Sequence, residues 1–341
     1  MSGLTNIELI TEDALSQKYS ADGKSMFAEY VHERDFIHKN ILEEIKLGFP
    51  DGSDHGARHV RNVLENCEKL LGIEDTIYDK QKSLLRPEEL LILITSVLYH
   101  DLGNVSGRKE HQKKVEGVYN QVWGSKTENR HQHRDLIRAI TLAHCGKAQD
   151  GSTDTLKELS NSMPFRGNPI RSQEIAAILR FADELAEGPQ RTSLYRHAID
   201  DYEEDSKLFH AYARATDITI DRQSRRVALT YYINSDPNIA TSELAEAELE
   251  SLLNFIFKRI DKVDEERQYN RHYTDIMVPF KETSVTFNFS VNSCRCDIGL
   301  PELLLTDLSI PGTPRPTLQK RSPSYSVSSI IEKLKQGIKD D

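Results

Sequence analysis

His59, His100, Asp101, His111, His144 and Asp183 make a spaced set of imidazoles and carboxylates. These are the side chains that hold one or two divalent ions of the Mn, Fe, Mg, Co, Ni or Zn kind. The doublet His100-Asp101 says little by itself, since chance produces many such pairs. Its setting gives it weight: it ends the apolar run LLILITSVLYHDLG (90–103). A carboxylate at the end of such a segment is expected to be buried, and burying it without a metal or a cation is costly. His59 stands in HVRNV (59–63), His111 in EHQKKVEG (110–117), His144 in ITLAHCGK (140–147) and Asp183 in ILRFADELAEGPQR (178–191). Each lies at the edge of an apolar-periodic segment, so helices can aim all six inward. The plainer alternatives are a surface helix histidine for His59 and an ion pair with Arg180, three residues earlier, for Asp183. His131 and His133 compete with His111 and His144, but the polar stretch NRHQHRDL predicts a solvated helix start for them.

Other residues could serve the same chemistry. His55 precedes His59 by four residues, one turn away on the same helical face. It could orient a ligand, protonate a leaving group, or only cap its helix. Arg108, Lys109, Lys147 and Arg191 are the cations nearest the set in sequence. Each could grip a phosphate, the arginines through a bidentate fork.

The elements that must position these residues are mostly helical. Residues 1–25 read as polar and irregular. FAEYVHERDFIHKNILEEIKLGF (27–49) carries apolar residues at three-to-four spacing, which predicts a helix. PDGSDHG (50–56) is a turn with Ser53 and Asp54 as N-cap candidates for a helix over 55–71. RPEELLILITSVLYHD starts with Pro87 near a first turn and is apolar nearly all round, the mark of a central buried helix that Gly103 can stop. Further helices are expected at about 109–122, 133–145 and 171–187, with a long loop at 146–169. After residue 200 the pattern changes. HAYARATDITID (210–221) and RRVALTYYI (225–233) read as strands around a DRQSR turn, 242–269 as a long amphipathic helix, and TSVTFNFSV (283–291) as another strand. IPGTPRPTLQKRSPSYSVSS (310–329) is Pro- and Ser-rich, and IIEKLKQGIKDD could form a short terminal helix. The expected organisation is a polar segment (1–26), a helical domain (27–204), a small α+β region (205–295), and a flexible tail of linker and short helix (296–341).

Composition narrows the function. The net charge of −10 argues against a broad polynucleotide surface. No stretch approaches the length of a membrane span, no signal peptide is evident, and four scattered cysteines do not make a disulfide framework. The expected location is the cytoplasm, the expected partner a small phosphorylated molecule, with no membrane contact.

At the residues above, the chain resembles the HD superfamily of metal-dependent phosphohydrolases. The order H…HD…H…H…D, the wording HVRNV, HDLG, ITLAHCGK and ADEL, and the Pro and Arg that follow carry the resemblance over roughly residues 30–200. It implies a mainly α, HD-type bundle with one metal on His59, His100, Asp101 and Asp183. Asp101 would bridge to a second metal held also by His111 and His144. A metal-activated water would attack phosphorus in line. Asp101 and His55 are then the expected catalytic residues, and Arg191, Arg108, Lys109 and Lys147 the phosphate grips. Asn104 follows HDLG where cyclic-dinucleotide-cleaving members carry Lys and many triphosphohydrolases carry His, and the GYP motif is absent. Neither substrate class transfers directly. The reading favours a nucleotide phosphohydrolase over a cyclic nucleotide or oligonucleotide phosphodiesterase, with an RNA nuclease third. A non-catalytic, metal-bound nucleotide sensor or interaction module is the rival of another class. The 205–295 region is expected to shape a substrate entrance or a homo-oligomer contact.

Overall fold

The computed structural model describes residues 3–48, 55–73, 77–80, 83–107, 110–124, 126, 130–193, 202–277, 279–307 and 316–340. The fold is mainly helical with a smaller α+β part, in two compact units. One comprises Met1–Pro50, Asp54–Ala186 and Tyr269–Val278; the other comprises Asp51–Ser53, Glu187–Gln268 and Pro279–Asp341.

The first unit is a helical bundle: α1 (Asn6–Tyr19), α2 (Ala21–Asn40), α3 (Leu42–Gly48), α4 (Ala57–Leu71), α5 (Pro87–Tyr99), α6 (Val115–Trp123), α7 (His131–Ala143) and α8 (Ser172–Glu184). The expectation of an irregular start fails. In α1, Ile7, Ile10, Ala14 and Leu15 are buried along one stripe. A buried acid, Glu8, interrupts that stripe, and its carboxylate accepts from Thr5 N–H (2.6 Å), Thr5 hydroxyl (2.8 Å) and Tyr30 hydroxyl (2.6 Å) and pairs with Arg34 (2.9 Å). The first of these bonds, with the Thr5 side chain accepting from the Glu8 N–H, forms the capping box that starts the helix. The 109–122 helix is also revised. Glu110 takes a left-handed conformation (φ 55°), so His111–Lys113 form a short 3-10 turn and α6 begins only at Val115. The 146–169 loop holds structure of its own. A two-stranded hairpin, β1 (Met163–Phe165) with β2 (Asn168–Ile170), turns through Arg166 and Gly167, both at positive φ as a tight hairpin turn requires.

Every residue of α5 is buried, and it packs against α1, α2, α4, α7 and α8. Its start is fixed by one carboxylate. Glu89, fully buried, accepts from Arg86 N–H (2.9 Å) and the Arg86 guanidinium (2.9 Å). It also accepts from Arg171 through the backbone N–H (3.2 Å) and two guanidinium nitrogens (2.9 and 2.7 Å). Arg171 is the residue before α8. One side chain therefore ties the start of the helix that ends in His100-Asp101 to the start of the helix that carries Asp183.

The second unit is α+β. Helix α9 (Glu204–Ala215) leads into β3 (Thr216–Asp221), β4 (Arg226–Ser235), helix α10 (Glu243–Tyr273, its last turn grouped with the first unit), β5 (Glu282–Val291), β6 (Cys294–Cys296) and β7 (Leu303–Thr306). The strand expected from residue 210 begins at Thr216. HAYARA has no β-branched residue and stays helical, and the change falls at the first threonine. β3 and β4 form the expected hairpin. β4 and β5 run parallel from Arg226↔Glu282 to Ser235↔Val291, and the antiparallel strands β6 and β7 both pair with β5. Of the Pro- and Ser-rich segment, residues 308–315 lie outside the described residues. Beyond it, α11 (Leu318–Arg321), a 3-10 turn (Pro323–Tyr325) and α12 (Val327–Asp340) bury Leu318, Tyr325, Ile330 and Leu334, so this part packs instead of hanging free.

Burial works against charge on Glu89, but the hydrogen bonds from Arg171 and Arg86 outweigh it and pull its pKa from 4.5 to about 2. Stability from a depressed carboxylate is complete above its unfolded value and is lost as pH falls through the folded one. Glu89→Gln should therefore cost about 1–3 kcal/mol at pH 7, the scale of hydrogen bonds to a charged group whose arginine partners are part-exposed. It should also flatten the loss of stability that the native protein shows between pH 4.5 and 2. Urea unfolding across that pH series would measure both.

Candidate metal centre

Four helix ends and one short turn of the first unit bring the six residues together. His59 lies in the first turn of α4, His100 and Asp101 directly follow α5, His144 directly follows α7, and Asp183 sits in the last turn of α8. His111 opens the 3-10 turn before α6. His59, His100, Asp101 and His144 are buried, so the surface alternative for His59 fails. The Asp183, His111 and His55 side chains are 30 %, 19 % and 15 % exposed, which makes them the rim of the site.

The backbone presets the imidazoles. His100 Nδ1 lies 2.7 Å from Val97 O, and His144 Nδ1 lies 2.5 Å from Thr141 O. These are carbonyls left open at the ends of α5 and α7. With Nδ1–H donated to a carbonyl, each ring presents Nε2 as its ligating nitrogen. Asn66 of α4 donates to Ala182 O (2.9 Å), which fixes His59's helix against the residue before Asp183. Behind His144, the Thr155 hydroxyl donates to Ala143 O (2.5 Å) and accepts from Arg180 (2.8 Å).

The donors converge on Asp101. Its Oδ2 lies 2.5 Å from His55 Nδ1, 3.4 Å from His100 Nε2 and 3.6 Å from His59 Nε2. Its Oδ1 lies 3.1 Å from His111 Nε2. Asp183 Oδ1 is 3.1 Å from His59 Nε2 and 3.6 Å from His100 Nε2, and the two imidazole nitrogens are 3.2 Å apart. His59, His100 and Asp183 form one group of ligand atoms within 4.8 Å of one another, and His111, His144 and Cys145 form another. His55, His59 and Asp101 form a third. The residues present therefore fit a divalent ion: buried imidazoles and carboxylates, oriented before any ion arrives, with no Lys or Arg among them.

Charge is shared across the set. Burial opposes ionisation of His100, yet Asp101 and Asp183 outweigh it and hold its pKa well above the usual imidazole range. Asp101 and Asp183 resist burial in turn, through His100 and His55 for the first and His100 and His59 for the second, and stay well below the usual carboxylate range. His111 is raised to about 10, with Asp101 and Cys145 overcoming its partial burial. His144 is raised as well. Burial alone would raise the Cys145 thiol, but His144 and His111 bring it down to about 6. The imidazoles hold protons beside two ionised carboxylates, in the place that the charge of a bound cation would take.

The other expected residues fare differently. His55 is in the cluster, and the N-cap of α4 is Gly56, so His55 faces Asp101 and does not cap the helix. Ser53 and Asp54, Arg108 and Lys109 lie outside the described residues. Lys147 is exposed, and Arg191 is buried in the second unit. His133 corrects the sequence reading. It is buried, its Nδ1 is 2.7 Å from Tyr119 hydroxyl, and burial pushes its pKa down to about 3, so it is a neutral core histidine. Arg180 reaches Thr153 O and Thr155 and stacks over the Tyr269 ring. Cys145 was missed. Its one signal in the sequence is its place beside His144.

A family model described as HD-CE matches residues 49–262, more than half of the chain. The chain belongs to the HD-CE family. The match spans all six residues and His55. A comparison with curated proteins yields no match.

Two outcomes test the centre. Binding a divalent ion must displace the protons that the carboxylates hold on the imidazoles. Calorimetric heats of metal binding should therefore vary with the ionisation enthalpy of the buffer, and affinity should fall as pH is lowered from 8 to 6; buffer-independent heats would contradict the assignment. Gly103 supplies the second. A Cβ there would lie 1.8 Å from His111 O, an overlap with backbone. Gly103→Ala should displace His111, lower stability by about 1–3 kcal/mol, and weaken metal binding more than does Gly117→Ala, where a Cβ meets nothing within 4 Å.

Proposed function

We propose that the protein is a metal-dependent phosphohydrolase of the HD type, acting on nucleotides. The observation that carries this reading is the position of Asp101. Its two oxygens face different imidazole groups, Oδ2 toward His59, His100 and His55 and Oδ1 toward His111. A carboxylate so placed serves two adjacent cation positions. His59, His100, Asp101 and Asp183 would hold one ion, and Asp101, His111 and His144 a second. Bound ions of this kind neutralise phosphate charge and lower the pKa of water. The chain's own residues supply the rest. His100 and His144 are locked by backbone carbonyls, His55 orients Asp101 through its 2.5 Å contact, and the partly exposed rim of Asp183 and His111 leaves a path for substrate. Lys147, Arg191, Arg108 and Lys109 are proposed as phosphate grips on sequence grounds. The nucleotide preference rests on the family resemblance. A cytoplasmic location and a small-molecule partner are part of the same proposal.

The experiment is a product-resolved turnover screen on metal-stripped protein resupplied with Mn, Mg, Fe, Co, Ni or Zn. Its panel holds NTPs, dNTPs, monophosphates, cyclic mono- and dinucleotides and short RNA. Metal-dependent turnover of nucleotides should fall about 10³-fold or more in Asp101→Ala, the scale of removing a group that acts in the transition state. Turnover confined to cyclic substrates would replace the nucleotide reading by the phosphodiesterase one. Tight metal binding with no turnover would favour the sensor reading.

A further inference from the structure

His144 and Cys145 are consecutive where α7 ends, and the helical turn at His144 (φ −69°, ψ −23°) carries the chain so that both side chains meet His111. Cys145 Sγ lies 3.7 Å from His111 Nε2, and the ligand atoms of His111, His144 and Cys145 lie within 4.8 Å of one another. His144 is 4 % exposed, and its Nδ1 is taken by Thr141 O, which leaves Nε2 for this cluster. His111 Nε2 in turn lies 3.1 Å from Asp101 Oδ1. Two imidazoles and a thiol therefore form one group of donors, and Asp101 lies against the His111 side of it. Zinc-type bonds of about 2.3 Å to sulfur and 2.0–2.1 Å to nitrogen, at a tetrahedral angle, put S and N about 3.6 Å apart, close to the separation seen. The group around His59, His100 and Asp183 contains no sulfur.

We propose that Cys145 is a ligand of the second metal position, beside His111 and His144, so that the two halves of the centre differ in kind. The half with only nitrogen and oxygen donors accepts hard ions such as Mn or Mg. The half with Cys145 selects Zn, Fe(II) or Co(II) and discriminates against Mg, because thiolate is a soft ligand. On ligation the Sγ–metal bond forms and the thiol proton leaves to solvent. This proposal rests on the metal-centre reading above and adds the identity of one ligand.

Cobalt gives a readout independent of turnover. Full-length, metal-stripped protein is titrated with Co(II), bound metal is counted by equilibrium dialysis, and the near-ultraviolet spectrum is followed. The native protein should develop a thiolate-to-cobalt charge-transfer band. Cys145→Ser should lose that band and bind metal at this half about 100-fold more weakly, at least the upper end of what loss of an outer partner costs. On the native protein, iodoacetamide labelling mapped to Cys145 should be suppressed by Zn or Co and not by Mg. Cobalt bound without the band, and labelling of Cys145 unchanged by Zn, would overturn the thiolate assignment and leave the metal centre standing. No cobalt bound by the native protein would overturn both.

Discussion

The structure depends on the burial of one carboxylate. Asp101 is 5 % exposed at the end of a helix with no exposed face. An ionised group there would destabilise the fold strongly unless charge of the other sign surrounds it. The surroundings answer that demand from separate segments: His55 and His59 at the start of α4, His100 beside it in the chain, and His111 from the 3-10 turn. The bundle is thus arranged so that several helix ends point at one spot. Ends, more than middles, can do this, because their open carbonyls are available to hold imidazole rings, as Val97 and Thr141 do.

The same demand explains the rigidity placed around the site. Glu89 fixes the far ends of α5 and α8, and Asn66 fixes α4 to α8 beside Asp183. Thr155 closes the last turn of α7 beneath His144. Gly103 lets the turn after Asp101 approach the His111 backbone more closely than any side chain would allow. These contacts lie one step outside the donors and set their directions. Their loss would loosen the centre without removing a ligand.

Much of this was legible in the chain. The nearly continuous apolar run before His100, broken only by Thr95 and Ser96, required a buried helix, and a buried helix required a partner for Asp101. LIRAITLA pointed His144 inward by the same reasoning, and the order of the six residues supplied the resemblance. What escaped did so for physical reasons. The stripe of α1 was hidden because buried Glu8 interrupts it, and a buried acid with four partners looks, as a letter, like a solvated one. His133 looked solvated among Arg and Gln, yet its helical face turns it onto Tyr119. HAYARA reads as strand only by continuity with the alternation that starts at Thr216, and it has no β-branched residue of its own to favour one. The meeting of Cys145 with His111 depends on where α7 ends, to within a residue, and periodicity does not resolve that.

The parallel pairing of β4 with β5 has a consequence for how the chain is made. Two parallel neighbours cannot be joined by a tight turn, and here the connection includes the whole of α10. As the polypeptide leaves the ribosome, the β3–β4 hairpin emerges with one long side of β4 still lacking its neighbour. It must wait in that state until α10 and β5 have been synthesised. An open strand border rich in Val, Leu, Ile and Tyr is a template for the wrong partner, another nascent chain included. The interval between the synthesis of Ser235 and that of Val291 is therefore the time during which this border stands open.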